Sequence, residues 1–260
     1  MLSKRTTIIG LVILAIAGAF VFYALGYRLD STLTIQQTST ITIPIPHKNV
    51  VVYMDNERRG FSRDENDKIV IRGVQPGKHV IIAARSDLVP WSKTLNTEYN
   101  KDFELRPFFV KYEGDVTIVP TTAFDYATRL KNATSYPVPT SESPLFSEDG
   151  SVAVMTDGGT LTARRVRSSV LDYVFCPEKC SEMTTIATFE VPVKNIAFYP
   201  GRNDVLIIAV SDGIFVIELD KRETQNFAPL YIGIAPTFKV TSDRTIDVAD
   251  KGNLLSVGLQ

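Results

Sequence analysis

From Leu33 onward the apolar side chains of this chain recur at every second position rather than every third or fourth, and that period restricts what it can fold into more than any other feature. The runs LTIQQTSTITI (33–43), VVVYM (50–54), IVIRGV (69–74) and HVIIAA (79–84), together with the stretch from Trp91 to Thr97, are rich in β-branched and aromatic residues. The clusters DNERRG, DENDK, QPGK and RSDLVP separate them as turns. No window beyond Leu33 carries an apolar stripe at helical spacing, so the expectation is a mainly β fold with short connections.

The N-terminus departs from this pattern. MLSKRTTIIGLVILAIAGAFVFYALGYRLD holds no charged side chain from Thr6 to Tyr27. As a helix that stretch would rise ~33 Å at ~1.5 Å per residue, against a hydrocarbon core of ~30 Å. A cleaved signal peptide is the rival reading, with Ala15-Ile16-Ala17 as its cleavage site, but the apolar run continues to Leu25, longer than a signal core. Residues 6–27 are therefore expected to anchor the chain in a lipid bilayer, within a segment 1–30 made of a short cytoplasmic tip and a transmembrane helix. Lys4 and Arg5 precede the span, while Arg28 is partly balanced by Asp30. Cationic flanks favour the cytoplasmic side, so the expected topology is a single-pass membrane protein with its N-terminus cytoplasmic and its bulk extracytoplasmic.

Tyr53-Met54-Asp55 with Gly60, then Pro76-Gly77-Lys78-His79, then Pro90-Trp91 resemble the hairpin, turn and aromatic segment of PEGA domains, the small β-sandwiches of bacterial and archaeal envelope proteins. The resemblance covers about Leu33 to Pro107 and implies a PEGA-like sandwich over residues 31–108. The sequence departs from the family by lacking Pro-Glu-Gly-Ala, by carrying Asn56 for the hairpin glycine and by inserting FSRDENDK. Pro76-Gly77 also has a local reason, since a type II turn takes proline first and a residue at positive φ next.

Residues 109–142 read as a connecting region that ends in the Pro/Ser/Thr-rich TSYPVPTSESP. From residue 143 to 260 the chain repeats itself in SPLFSEDGSVAVMTDGGTLTARRV, KNIAFYPGRNDVLIIAVSDGIFVIEL and PTFKVTSDRTIDVADKGNLLSVGL. Each segment has a phenylalanine (Phe146, Phe198, Phe238), a polar turn, a strand, a tight turn with glycine and another strand. Asp157-Gly158, Asp212-Gly213 and Lys251-Gly252 take equivalent hairpin positions, where glycine supplies positive φ. The units resemble blades of TolB-like and WD-repeat β-propellers, with Ser147-Glu148-Asp149-Gly150 matching the opening turn best, Tyr199-Pro200-Gly201 in part and Thr241-Ser242-Asp243 in outline. The resemblance implies about three propeller blades where a ring takes four to eight, so either the propeller is incomplete or self-association completes it.

The two cysteines of the chain stand in CPEKC, between the strand-like runs LDYVF and MTTIATF. A zinc site takes about four ligands, and the two histidines, His47 and His79, lie far away in sequence. A redox pair takes two intervening residues and a βαβ context. The expectation is a disulfide between Cys176 and Cys180 that staples one hairpin, as suits an oxidising compartment.

A formal charge of −1 argues against nucleic acid as a partner, because displacing counterions takes a basic face. Arg164-Arg165-Val166-Arg167 reads as a solvated strand face, and Asp64-Glu65-Asn66-Asp67 as a solvated hairpin without the ligand spacing of a calcium loop. No triad, phosphate-binding loop, metal site or cofactor site is legible, and catalytic residues are assigned to none. Trp91 is the one tryptophan. Its ring would either stack on a glycan or close the core of the small sandwich. The expected role is a non-catalytic envelope scaffold that binds a protein or a cell-surface glycan. The alternative is a hydrolase of envelope polymers, with carboxylates such as Glu178, Glu182 and Glu190 converging in a propeller cleft.

Overall fold

The computed structural model describes all residues except 1–3, 30–32, 113, 136, 168–170, 176–179 and 243, and leaves the side chains of 4–7 and 172 undescribed. The chain divides into two compact units, Met1–Ala83 with Thr94–Pro107, and Ala84–Lys93 with Phe108–Gln260.

The first unit opens with helix α1 (Lys4–Ala24). The strands β1 (Tyr27–Leu29), β2 (Ile35–Gln37), β3 (Ser39–Ile45), β4 (Val51–Met54), β5 (Glu57–Phe61), β6 (Asp67–Val74), β7 (Gly77–Ala84), β8 (Trp91–Thr97) and β9 (Asp102–Glu104) follow. They form a β1-β2 pair, a three-stranded sheet in the order β6-β3-β9 and a four-stranded sheet in the order β5-β4-β7-β8. Period-two patterning decides which side chains are buried: along β3, Ile41, Ile43 and Ile45 are fully buried while Thr40, Thr42 and Pro44 are half-buried. Each such isoleucine contributes roughly 1.5–3 kcal/mol by leaving water. The β4–β5 hairpin turns on Asp55 and Asn56, whose φ values of 54° and 66° make a type I′ turn, so asparagine does here what glycine does elsewhere.

The expected membrane anchor is corrected by α1. Among the described residues no helix is long and apolar enough to cross a membrane. The helix ends at Ala24, because Gly26 takes a φ of 84° and Tyr27–Leu29 leaves as a strand paired with Ile35–Gln37. The expectations of a bilayer partner for residues 6–27 and of a single-pass membrane localisation fall with the anchor.

The second unit holds β10 (Val116–Ile118), α2 (Tyr126–Thr134), β11 (Leu145–Phe146), β12 (Val152–Asp157), β13 (Thr160–Arg165), α3 (Asp172–Phe175), β14 (Met183–Thr188), β15 (Asn195–Phe198), β16 (Val205–Val210), β17 (Gly213–Glu218), β18 (Phe227–Ile232), β19 (Thr237–Val240), β20 (Thr245–Asp250) and β21 (Asn253–Gly258). Three four-stranded sheets result, β11-β12-β13-β14, β15-β16-β17-β18 and β10-β21-β20-β19. Each sequence repeat supplies three consecutive strands of one sheet, and in the last sheet the fourth strand, β10, comes from far upstream and pairs antiparallel with β21. The central strands are buried on both faces, as in β16, where every residue from Val205 to Val210 is buried. One apolar core joins the first two of these sheets through Val154, Leu161, Ile186, Ile196, Leu206 and Ile208.

The β-propeller expectation is also corrected. The described residues form separate open sheets and no closed barrel or propeller, and the three four-stranded sheets of the second unit are fewer than the four blades a ring takes. Nor is the chain beyond Leu33 all β. LDYVF, expected as a strand, forms α3, and its apolar side chains Leu171, Val174 and Phe175 enter the core at the i, i+3, i+4 spacing of a helix turn. Helix α2 sits where only a connection was expected; Ala123, Tyr126, Leu130 and Ala133 pack with Val119, Ala249 and Leu254. The expected Cys176–Cys180 staple falls outside the described residues, since 176–179 are not described, and Cys180 is exposed.

Candidate functional site

Trp91 is 2% exposed, which closes its ring to a sugar face. Its indole Nε1 donates to Glu218 Oε2 at 3.1 Å. Two residues on, Lys93 has no exposed side chain at all and donates to Glu218 Oε1, to the Asp220 carbonyl at 2.9 Å and to the Thr224 carbonyl at 2.6 Å. An ammonium has three protons, and here all three are taken. Asn226 donates from its backbone and side chain to Glu218 Oε1, both at 2.9 Å, and exchanges hydrogen bonds with the Ser92 backbone at 2.9 and 2.7 Å. Burial pushes the Glu218 carboxyl up despite the Lys93 charge beside it. Burial pushes Asp220 the same way, but the Arg222 hydrogen bonds and the Lys93 charge reverse this and hold it below the ordinary carboxylate range. Every polar group in this cluster is engaged within the protein, so its role is to hold the segment around Trp91 to the loop after β17. A void of about 20 Å³ beside Trp91, lined also by Phe108, Val110 and Phe227, has room for little more than one water.

A larger opening lies where the turns of the three repeats come together. It encloses about 340 Å³ and is lined by Glu148, Phe198, Tyr199, Pro200, Gly201, Arg202, Val240 and Ser242. Each repeat contributes its first turn. In the β11–β12 turn, Gly150 N donates to the Ser147 carbonyl at 2.9 Å and Gly150 takes a φ of 69°, which sets Glu148 at the exposed corner. In the β15–β16 turn, Arg202 N donates to the Tyr199 carbonyl at 2.9 Å with Pro200 and Gly201 between them. Proline fixes its own φ near −65° and Gly201 takes a φ of 68°, the pairing a type II turn requires. Val240 and Ser242 come from the end of β19 and the turn after it.

The floor is apolar and rigid. Tyr199 is 7% exposed, and its phenol both donates to the Gln260 carbonyl at 2.7 Å and accepts from Gln260 N at 2.8 Å. Burial pushes that phenol up to about 12, so it stays neutral at ordinary pH. Phe198 is half-buried beside it. Arg202 clamps Asp204 with two hydrogen bonds, Nε to Oδ1 at 2.7 Å and Nη2 to Oδ2 at 2.9 Å. Burial alone would lower the Arg202 guanidinium, but the Asp204 charge outweighs it and the net direction is upward. Glu148 is exposed and, among the described residues, makes no hydrogen bond or ion pair.

The phenylalanines that recur in the repeats do not share one environment. Phe238 is fully buried, Phe198 lines the opening and Phe146 is 50% exposed. Of the acids proposed for hydrolysis, Glu178 lies outside the described residues, while Glu182 and Glu190 are exposed and do not line the opening. Among the described residues no group of histidine, cysteine and acidic side chains could hold a metal ion. Sequence reasoning found the three turns but not their convergence, and it missed Lys93, Glu218 and Asn226 altogether.

No family model matches the chain, and no curated protein matches it. Among solved structures, one match is a protein of Bacteroides uniformis described as a "putative carbohydrate binding protein". It is 9% identical, with 82% of this chain and 98% of that chain covered, at a TM-score of 0.21. A likeness that weak supports no inference about fold or role.

Proposed function

We propose that this chain is a non-catalytic binding protein that takes a carbohydrate ring in the opening lined by the three repeat turns. The observation that carries the reading is the pairing of an apolar, aromatic floor (Phe198, Tyr199, Pro200, Val240) with a polar rim (Glu148, Ser242) in a space of about 340 Å³. A pyranose has the complementary surface, with one face of C–H groups to lie on an aromatic ring and a perimeter of hydroxyls to donate to a carboxylate or share with a serine. The volume lies at the small end of ligand sites, which suits one or two sugar rings. Among the described lining residues Glu148 is the single carboxylate, whereas glycoside hydrolysis takes two facing acids about 5–10 Å apart, and this favours binding over turnover.

The test is saturation-transfer NMR of the full chain against a panel of neutral, amino and acidic oligosaccharides, repeated with Phe198→Ala and with a control such as Phe146→Ala outside the opening. We expect sugar C–H signals for at least one class, weakened about tenfold or more in affinity by Phe198→Ala and unchanged by the control. Transfer that survives Phe198→Ala, or none from any class, would remove the reading.

A further inference from the structure

The opening has an unequal charge balance, and that narrows what kind of sugar fits it. Among the described residues two charged side chains line it, Glu148 and Arg202. Arg202 is locked to Asp204 through the Nε and Nη2 edge of its guanidinium, so its positive charge is met at hydrogen-bond distance by a carboxylate that is itself buried. Glu148 has no such partner among the described residues and stands exposed at the corner of its turn. The neighbouring Asp149 does not offset it. That carboxylate accepts from Ser147 Oγ at 2.7 Å, Ser151 N at 2.9 Å and Ser151 Oγ at 2.8 Å, and stays negative. Arg167 reaches the same turn, where it donates to the Asp149 carbonyl, and it is not among the residues that line the opening. Tyr199 presents a neutral ring.

Among the described residues the rim therefore carries one uncompensated negative charge over an apolar floor. An acidic sugar would meet repulsion there with no free cation among the described lining residues to answer it, and a ring bearing an ammonium would give Glu148 a partner. Resting on the carbohydrate reading above, we infer that the opening selects a sugar with a protonated amino group, a hexosamine-type ring, over N-acetylated and uronic acid rings. An exposed ion pair contributes modestly, so the selectivity is about two- to fivefold at low salt. It fades as salt shortens the screening length to ~3 Å near 1 M.

The experiment is a titration of the full chain with glucosamine oligomers, N-acetylglucosamine oligomers and galacturonate oligomers of equal length, by calorimetry at low and at about 1 M salt. It is repeated with Glu148→Gln and with Glu148→Asp, which keeps the charge. The expected order is glucosamine tightest by about two- to fivefold and galacturonate weakest, with the difference lost in Glu148→Gln and at high salt and largely kept in Glu148→Asp. Because Glu148 is exposed in a surface turn, these variants are expected to fold as the parent does. Equal binding of the three oligomers, or a preference that survives Glu148→Gln, would overturn the inference while leaving the carbohydrate reading standing. Binding of none of them, together with silence across the whole panel above, would overturn both.

Discussion

Lys93 shows how much of this molecule is decided by single buried charges. It sits with no exposed side-chain surface against Glu218 and Asp220, and such a cluster is stable only while all of its members are present. Lys93→Met keeps the length and apolar stem but strands the buried Glu218 carboxylate, while Asp220 keeps its Arg222 partner, so we expect a loss of about 3–5 kcal/mol in denaturant unfolding, followed by the fluorescence of Trp91, the one tryptophan. Adding Glu218→Gln to Lys93→Met is expected to restore part of that loss, because the stranded charge is then gone. If Lys93→Met unfolds within about 1 kcal/mol of the parent, the cluster is not the clamp described here. None of this was legible in the sequence. The residue is the one lysine of the alternating run WSKTLNT, and its carboxylate partners stand more than a hundred positions away, where no local pattern links them.

At the scale of the element, the strands were readable because burial imposes period two, as β3 and β8 show with buried side chains alternating with half-buried or exposed ones. The helices were readable in principle as well. Ala123, Tyr126, Leu130 and Ala133 mark one face of α2 and its approach, but polar residues dilute the stripe, and only packing with Ala249 and Leu254 makes it a helix. Arg129 then ties α2 to the buried Asp247 through two hydrogen bonds of 2.8 and 2.6 Å. The hairpin glycines divide in a way that spacing alone did not reveal. Gly158 and Gly252 take positive φ, 58° and 78°, as expected, whereas Gly213 does not, and it is glycine because a Cβ there would meet the Tyr231 carbonyl oxygen at 2.6 Å. Gly159 is held in the same way, by the Phe189 carbonyl. These two causes give different costs. Gly158→Ala, with open space around it, is expected to lower stability by about 1 kcal/mol through backbone strain. Gly159→Ala must displace the backbone just after β14 and is expected to cost about 3 kcal/mol or more. Equal melting temperatures for the two variants would contradict this distinction.

At the scale of the whole molecule, the division into units does not follow the order of the chain. Ala84–Lys93 belongs with Phe108–Gln260, although Thr94–Pro107 between them belongs with the first unit. The sequence gives no hint of this, since Trp91 to Thr97 reads as one continuous strand, and β8 is indeed one strand that changes allegiance at Lys93. The physical reason lies in the polar cluster: Trp91 Nε1, the Ser92 backbone and Lys93 Nζ all find their partners between Glu218 and Asn226. A polypeptide of Phe108–Gln260 alone would lack every one of those partners. Its Glu218 and Asp220 carboxylates would be buried without a lysine, and its Asn226 side chain would lose both bonds to Ser92, losses that together rival the few kcal/mol by which a domain of this size is stable. We therefore expect Phe108–Gln260 to give no cooperative thermal transition, and Ala84–Gln260, which restores the segment, to melt cooperatively. Should the shorter polypeptide melt as sharply and at the same temperature as the longer one, Ala84–Lys93 contributes nothing to the second unit and the boundary belongs at Phe108 instead.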